Sequence, residues 1–225
     1  MIIALKLGKF LFSPDPQADK MEEYVNVIGR IVKARNRLLI ITGGGETARK
    51  DIRAARILKV DESTCDQLGI EIARINAYLF ISALGELAYP EVPTNIRELK
   101  KFFHLGKIVV MGGLTPGHST TAVGALAAEA TKVDIYIIAS DVDGIFADDP
   151  KVNPEAEKFD VITTDKLFKM ATKRRTLAGM YDLDPLAIKI IERSKIPTYF
   201  INGKDPRNIE KLLAKRKVGT FIKPP

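Results

Sequence analysis

The sequence predicts an α/β fold, a three-layer αβα sandwich built on a mainly parallel central sheet. Short runs of strand length alternate with helical segments along the 225 residues. The runs are apolar throughout, which is typical of parallel strands that helices cover on both faces. Apolar residues make up 46% of the chain, enough for one large core, and no linker divides it. We therefore expect one domain over residues 1–225.

The first half of the chain supplies three of the expected strands and three of the helical segments. The strands are MIIALKL, RLLIIT and KIVVM, which begin at Met1, Arg37 and Lys107. Helical segments are expected from about Asp19 to Ala34, from Glu46 to about Leu87 and from about Ser119 onward.

The second half continues the alternation with strands at DIYIIA, PTYFIN and VGTFI. Two helices there have a clear start, because Asp184-Pro185 and Asp205-Pro206 each place an N-cap residue before a proline at the first helical position. SPDPQ at Ser13 and residues 148–157 are expected to be loosely structured. The basic segment KMATKRRTLAGMY, from Lys169, is expected to form a surface flap or loop.

Composition limits the possible classes of protein. Cys65 is the only cysteine, so an internal disulfide is excluded, and with only His104 and His118 beside it we expect no structural metal. No apolar run approaches the roughly 20 residues of a membrane span, and MIIALKLGKF is too short for a signal peptide. We expect a soluble cytoplasmic protein without a membrane partner.

The charge of the chain is positive and unevenly distributed. It carries 35 basic and 28 acidic residues, a net charge of +7, and residues 166–225 alone hold 15 basic and 5 acidic side chains. Nucleic acid is one anionic partner that such a region could bind. However, the basic residues are spread along amphipathic helices, without the aromatic cluster of an RNA-recognition motif. We therefore favour a solvated surface near a phosphate-bearing small molecule, and we expect no nucleic-acid partner.

Ligands of open α/β sheets bind beyond the carboxyl ends of the strands, so the residues after each strand are candidates for function. RLLIIT is followed by Gly43-Gly44-Gly45 before a helix, and KIVVM by a second loop of glycines and hydroxyl residues, Gly112 to Thr121. Such loops let backbone N–H groups approach an anion, and the helix dipole adds partial positive charge. One glycine loop could be a plain turn, but two in one sheet provide sites for a donor and an acceptor phosphate. They predict a phosphotransferase.

The second loop resembles a nucleotide-binding P-loop with one residue changed. From Gly112 it reads G-x-x-x-x-G-H-S, so His118 stands where a P-loop has its lysine. A neutral imidazole is a poor substitute for that lysine, which argues against a triphosphate site here. His118 could contact a ligand or bond within its own loop, and Ser119 and Thr120 could be ligand contacts or helix caps.

The loop after DIYIIA and two lysines complete the candidates. This loop reads SDVDGIF from Ser140, and Asp143-Gly144 could be functional or an ordinary turn. Lys6 is the one charge in an otherwise apolar strand, an expensive position unless it serves an anion or a carboxylate. Lys189 lies on a helix, where simple exposure is the alternative to a catalytic role.

Several motifs together resemble the archaeal uridylate (UMP) kinases of the amino acid kinase superfamily. They are LKLGK, ITGGGETARK, DQLGIEIARINAYL, MGGLTPGHSTTAV, SDVDGIFADDP and LDPLAIKIIERSKI, and they span nearly the whole chain. The resemblance implies transfer of the ATP γ-phosphate to UMP, with Mg²⁺ accompanying ATP and a homohexamer, a trimer of dimers, as the assembly. The UMP side is expected mainly in the N-terminal half and the ATP side mainly in the C-terminal half.

The resemblance also implies roles for individual residues. For UMP it implies Gly44, Asp66 for the ribose hydroxyls, and the loop of Leu114, Thr115, Pro116, Gly117, His118, Ser119 and Thr120. For ATP it implies Gly8, Lys9, Gly45, Arg49, Ser140, Asp141, Phe146 and Asp149. The catalytic residues would be Lys6, near the phosphates, Asp143, which would orient such groups, and Lys189.

Three positions depart from the family pattern. After the first strand the chain reads Gly8-Lys9-Phe10, so it lacks one residue relative to relatives whose loop has the common S-G-K form. Ser140-Asp141 replaces a common Thr-Asn pair, and Phe146 replaces a common Tyr. Hydrogen bonds on the adenine side are therefore expected to differ from those of relatives, whereas stacking is expected to be retained.

Other functions stay open at this point. The superfamily also contains kinases for isopentenyl phosphate, carbamate and acylglutamate, and the fold alone does not choose among them. A non-catalytic nucleotide sensor or an RNA-binding protein would use the basic region instead. The loop after KIVVM and Asp66 favour a nucleotide as the acceptor.

Overall fold

The structure is a computed structural model that describes residues 1–13, 18–148, 152–173 and 183–225. Its strands are β1 (Ile2–Leu7), β2 (Arg37–Thr42), β3 (Val109–Met111), β4 (Ile135–Ser140), β5 (Ile145–Phe146), β6 (Lys158–Phe159), β7 (Val161–Thr163), β8 (Thr198–Asn202) and β9 (Thr220–Lys223). Its helices are α1 (Ala18–Lys33), α2 (Gly45–Ile57), α3 (Glu62–Leu84), α4 (Ile96–His104), α5 (Thr120–Thr131), α6 (Thr164–Lys173), α7 (Pro185–Ser194) and α8 (Arg207–Leu213). A short 3₁₀ turn, Gly85–Leu87, follows α3.

The central sheet holds seven of the described strands in the order β3-β2-β1-β4-β8-β9-β7. The first five of these run parallel to one another. β9 is antiparallel to β8, and β7 is parallel to β9. The predicted mainly parallel sheet is therefore confirmed. Because the five parallel strands share one direction, the loops that follow them gather at a single edge of the sheet.

Helices cover both faces of the sheet, where the central strands are apolar on both sides. On one face, α1, α3 and α8 pack over a core that includes Leu5, Tyr24 and Phe80. On the other face, α4, α5 and α7 pack over a second core that includes Ala4 and Phe103. α2 lies against α3, and α6 lies against α7. The predicted three-layer αβα sandwich is thus confirmed.

The segment predicted as helical from Glu46 to Leu87 is two helices rather than one. α2 ends at Ile57 with Leu58 as its C-cap, and Lys59 has a left-handed φ of 61° that breaks the helix. Asp61 then starts α3 by accepting a hydrogen bond from the amide of Thr64 (3.0 Å).

α4 is an element that the sequence reading missed. Asn95 caps it by accepting a hydrogen bond from the amide of Glu98 (2.9 Å), and the Glu98 carboxylate accepts one from the amide of Thr94 (2.8 Å). This reciprocal arrangement resembles a capping box, and Leu99 and Phe103 bury the apolar side of the helix. The pattern Asn-x-x-Glu before an amphipathic run is a signal that could have found it.

The region after β4 contains short elements that were not predicted, although none of them lies within the described part of residues 148–157. β5 and β6 form an antiparallel hairpin, and β7 and α6 follow directly. The predicted flap from Lys169 is wrong at its start, because α6 continues to Lys173. Residues 174–181 of that segment, and residues 14–17 of SPDPQ, lie outside the described residues.

α3 is also the one helix of the described residues that is long and apolar enough, by length and composition, to cross a membrane. It packs Ala77, Phe80 and Leu84 into the core beside the sheet. Glu71 and Arg74 lie within its length. These features are those of a core helix, although its outer side also exposes apolar side chains.

Candidate active site

The parallel strands bring the predicted functional loops to one edge of the sheet. Lys6 is the next-to-last residue of β1, between Ile41 of β2 and Ile138 of β4, and only 4% of it is exposed. Because side chains alternate along a strand, it shares the face of Ala4, which is the face covered by α5. A lysine this deeply placed needs anionic or hydrogen-bonding partners. Lys6 therefore lies below the loops that follow β1, β2 and β4.

The glycines after β2 are required by their close contacts. A side chain at Gly44 would begin 2.5 Å from the Cβ of Ala48 within α2. Gly45 has a φ of +66°, and a Cβ there would lie 1.9 Å from the carbonyl oxygen of Phe12. The loop after β1 thus packs directly on the loop after β2. Arg49, one turn into α2, pairs with Glu46 (3.8 Å).

The loop of residues 112–119, called here the acceptor loop, is fixed against α3. A Cβ at Gly112 would lie 2.6 Å from the backbone of Ala73, so only glycine fits. The guanidinium of Arg74 donates to the carbonyl of Gly113 (3.2 Å). Further along, the amide of Gly117 donates to Oδ2 of Asp66 (2.7 Å). The structure therefore brings Asp66 together with the loop that the resemblance assigns to the same ligand.

The end of the acceptor loop is a helix cap. Ser119 is the N-cap of α5 and accepts a hydrogen bond from the amide of Ala122 (3.0 Å). Its hydroxyl also donates to Oδ2 of Asp184, which caps α7 through the amide of Ala187 (2.8 Å). The cap interpretation of Ser119 is confirmed, and the loop is tied to a second helix.

Thr120, the first residue of α5, and His118 of the acceptor loop lie at the same edge of the sheet. A Cβ at Gly43 would lie 3.4 Å from Oγ1 of Thr120, so the loops after β2 and β3 converge. The amide of His118 donates to the carbonyl of Thr115 (3.2 Å), as expected for a turn residue. Its ring Nδ1 is buried without a hydrogen-bond partner among the described residues. A buried ring nitrogen of this kind is suited to a polar ligand group.

The loops after β1 and β4 also contact each other at this edge of the sheet. A Cβ at Gly8 would lie 2.7 Å from the carbonyl oxygen of Ala139, and Nζ of Lys9 pairs with Asp141 (3.3 Å). Ser140 is buried, whereas Asp143 is exposed and accepts a hydrogen bond from Asn202 (2.7 Å).

Phe146 lies partly buried in β5, just beyond this loop, whereas Asp149 lies outside the described residues. The residues predicted on the donor side and within the described part of the chain are therefore grouped at the ends of β1, β2 and β4. Among the described residues, no group of three His, Cys, Asp or Glu side chains is placed to hold a metal ion.

Comparison with known proteins now identifies the fold family. The amino acid kinase family model matches residues 1–202. This chain belongs to the amino acid kinase family.

Among members of this family, archaeal uridylate kinases are similar over nearly the whole chain. The chain is 43% identical over 214 residues to a uridylate kinase of Methanosarcina acetivorans, covering 95% of this chain and 91% of that relative. It is 38% identical over 218 residues to a uridylate kinase of Thermococcus kodakarensis, covering 96% of each chain. The resemblance seen in the sequence motifs is thus confirmed.

Solved structures of the amino acid kinase fold agree with this assignment. The structure of a uridylate kinase from Archaeoglobus fulgidus matches with a TM-score of 0.87 at 40% identity, covering 99% of this chain and 100% of that one. A UMP kinase structure from Bacillus anthracis matches with a TM-score of 0.84 at 20% identity, covering 99% and 95%. At that lower identity the likeness concerns the fold alone.

Lys189, the third predicted catalytic residue, makes its described contacts on the surface of α7. It lies on α7 with half of its side chain exposed, and its Nζ pairs with Glu192 (2.7 Å). The same Nζ lies 4.6 Å from the centre of the Phe168 ring on α6. These described contacts favour the surface alternative for Lys189.

The loop after β8 is part of this edge, although the sequence reading did not include it. Asn202 contacts Asp143, and the amide of Gly203 donates to the carbonyl of Ser140 (2.7 Å). The hydroxyl of Tyr24 donates to the carbonyl of Gly203 (2.6 Å), and burial raises the pKa of that phenol well above its usual range. The Arg207 guanidinium lowers the pKa of Asp205 to about 2.

A sequence signal for this loop was available. It follows a parallel strand, as the other functional loops do, but its Asn-Gly pair resembles an ordinary turn.

Proposed function

We propose that this chain is a uridylate kinase, which transfers the γ-phosphoryl group of ATP to UMP and gives UDP and ADP. The observation that carries the proposal is the arrangement around Lys6. The glycine loop 43–45 and the acceptor loop tied to Asp66 follow the strands on one side of β1, the loop of Asp143 follows β4 on the other side, and Lys9 lies in the loop after β1 itself. Alignment with archaeal uridylate kinases over nearly the whole chain supports the same acceptor.

In this proposal UMP occupies the side of α3 and the acceptor loop. Residues 114–120 and Gly44 receive its phosphate and base, and the Asp66 carboxylate accepts hydrogen bonds from the ribose hydroxyls. A carboxylate has two oxygens with about four acceptor sites, so Asp66 can hold the Gly117 amide and a ribose hydroxyl together.

ATP occupies the opposite side of the same edge. The residues proposed for it are Gly8, Lys9, Gly45, Arg49, Ser140, Asp141, Phe146 and Asp149. Magnesium enters with ATP as part of the substrate, because Mg²⁺ is usually held by one or two carboxylates together with substrate phosphates. Asp141 and Asp143 are carboxylates on the donor side that suit this role.

The proposed reaction is an in-line displacement without a covalent enzyme intermediate. A phosphate oxygen of UMP attacks the γ-phosphorus, and the bond from that phosphorus to the oxygen shared with the β-phosphate breaks. The electron pair stays on ADP. A phosphate monoester is largely ionised at neutral pH, so no general base is needed. Lys6 and the loop amides would neutralise charge on the transferring group, which is the main contribution of protein in this class of reaction.

We further propose that the enzyme works as a homohexamer, a trimer of dimers, in the cytoplasm, where ATP and UMP are available. The outer side of α3 supports self-association, because it exposes Leu68, Ile75, Tyr78 and Leu79 by 39% to 63%. Contiguous exposed apolar side chains of this kind are typical of protein interfaces.

The acceptor is tested by a coupled assay that measures ADP formation from ATP. UMP, CMP, dUMP, isopentenyl phosphate, carbamate and acylglutamate are compared side by side. We expect the highest kcat/KM with UMP. A higher kcat/KM with another acceptor would replace UMP, and salt-sensitive RNA binding without any ADP formation would replace the kinase assignment with a binding protein.

The proposed role of Lys6 is tested with Lys6→Met, which keeps an unbranched side chain of similar size and removes its charge. Because Lys6 would act on charge that develops during transfer, kcat should fall by about 100-fold while KM for UMP changes much less. Lys33→Met, at the exposed end of α1, is the matched control and should leave both constants unchanged. An unchanged kcat in Lys6→Met would exclude this role.

A further inference from the structure

Asn202, the last residue of β8, contacts a proposed catalytic residue. Its Nδ2 donates to Oδ1 of Asp143 (2.7 Å) across the edge of the sheet. In the register of the sheet, Asn202 is paired with Ser140, the last residue of β4. It therefore lies beside the start of the loop that carries Asp143.

The orientation of the Asn202 amide is fixed by a second hydrogen bond. Its Oδ1 accepts from the amide of Lys204 (2.9 Å), so its NH₂ group must face Asp143. The carbonyl of Asn202 also accepts from the side chain of Asn208 in α8 (2.9 Å). Both the backbone and the side chain of Asn202 are thus held in place.

Asp143 has little else among its described contacts to fix its side chain. It is exposed at the tip of a turn, and the backbone that follows it is anchored separately. The amide of Ile145 donates to Oγ1 of Thr220 (2.9 Å), and a Cβ at Gly144 would lie 2.7 Å from the same oxygen. Thr220 therefore fixes the turn, whereas Asn202 fixes the rotamer of the carboxylate.

We propose that Asn202 is a positioning residue for phosphoryl transfer, which acts by orienting the carboxylate of Asp143. The inference rests on the proposed kinase function and adds a residue to it. Asn202 needs no contact with either substrate in this role. Its effect should appear in kcat rather than in KM for UMP, because a misplaced group slows the chemical step more than it weakens binding of the acceptor.

Asn202→Asp is the sharpest test, because the aspartate side chain has the same shape as that of asparagine. The new carboxylate still accepts from the amide of Lys204, but it no longer donates to Asp143 and repels it instead. We expect kcat to fall by about 10- to 100-fold and KM for UMP to stay within about twofold of wild type. The melting temperature should change little. Asn36→Asp is the matched control, since the Asn36 amide donates to a backbone carbonyl (Ile31, 3.0 Å) away from this edge.

A double-mutant cycle with Asp143→Asn separates positioning from a general structural effect. If Asn202 acts through Asp143, the double variant should have the kcat of Asp143→Asn alone. The inference would be overturned if the losses of kcat in the two single variants multiplied in the double variant, or if Asn202→Asp kept the kcat of the wild type.

Wild-type turnover is measured first with the whole acceptor panel. A higher kcat/KM with an acceptor other than UMP would overturn the proposed substrate, and the cycle would then test Asn202 with that acceptor. Absence of turnover with every acceptor would overturn both proposals.

Discussion

At the scale of single residues, Asp66 illustrates how one side chain can serve both the fold and the ligand. It lies 51 positions from Gly117 in the sequence, yet it accepts a hydrogen bond from the Gly117 amide. The carboxylate therefore holds the acceptor loop against α3. In the proposed function the same group also accepts hydrogen bonds from the ribose, so its charge matters more than its shape.

Asp66→Asn should raise KM for UMP, because the amide keeps one acceptor oxygen and loses the charge. A hydrogen bond to a charged group contributes about 1.5 to 3 kcal/mol, so KM should rise by roughly 10- to 100-fold. The variant should also distinguish UMP from dUMP less well than the wild type does. Both effects are measured by steady-state kinetics with each nucleotide.

Asp61→Asn is the matched control, because Asp61 lies on the same helix and acts as its N-cap. Asparagine caps a helix about as well as aspartate does, so KM for UMP should not change. An equal rise in the KM for ATP and for UMP in Asp66→Asn would contradict the ribose role.

At the scale of secondary-structure elements, Ser119 and Asp184 join the start of α5 to the start of α7. Each residue caps its own helix, and the Ser119 hydroxyl donates to Asp184. The acceptor loop is thus coupled to a helix from the C-terminal half of the chain. Such a link should make the two caps depend on each other energetically.

Ser119→Ala and Asp184→Ala should each lower the free energy of unfolding by about 1 to 2 kcal/mol, since each removes a cap. The double variant should lose less than the sum, because the hydrogen bond between the two residues is lost in both single variants. Urea unfolding at one protein concentration measures this. Asn95→Ala, which removes the cap of α4, is the control and should be additive with Ser119→Ala. Additivity in the first pair would argue against the coupling.

Most strands and the helices with clear start signals could be predicted from sequence, because their patterns are local. Asp184-Pro185 marks α7 in this way, whereas α8 begins at Arg207, one residue after the predicted Pro206. The break between α2 and α3 could not be predicted, because it depends on the left-handed backbone conformation of Lys59, which no sequence rule requires. The antiparallel direction of β9 could not be predicted either, because it depends on the path of the chain after the seven-residue α8.

The candidate site likewise contains features that could be predicted from sequence and contacts that could not. The glycine loops were predictable from their place after strands. The partners of Asp66 and Asp143, which are Gly117 and Asn202, come from distant parts of the chain and needed the tertiary structure.

At the scale of the whole molecule, the surface has two notable regions. Described basic residues of the C-terminal third form surface ion pairs, among them Arg193 with Glu129 and Lys217 with Asp160, as expected of a solvated surface. The outer side of α3 differs, because it exposes Ile75 by 63% and Tyr78 by 53%. A self-complementary apolar patch on a helix can form a twofold interface between copies of one chain.

Ile75→Lys should therefore reduce the size of the assembly, because it places a charge in the proposed interface. Light scattering coupled to size-exclusion chromatography should give a hexamer for the wild type and a smaller species for the variant. Leu105→Lys is the control: Leu105 is 60% exposed but lies beyond α4, so the mass should stay that of the wild type. A monomeric wild type would contradict the proposed hexamer. A hexameric Ile75→Lys variant would instead place the subunit contacts away from α3.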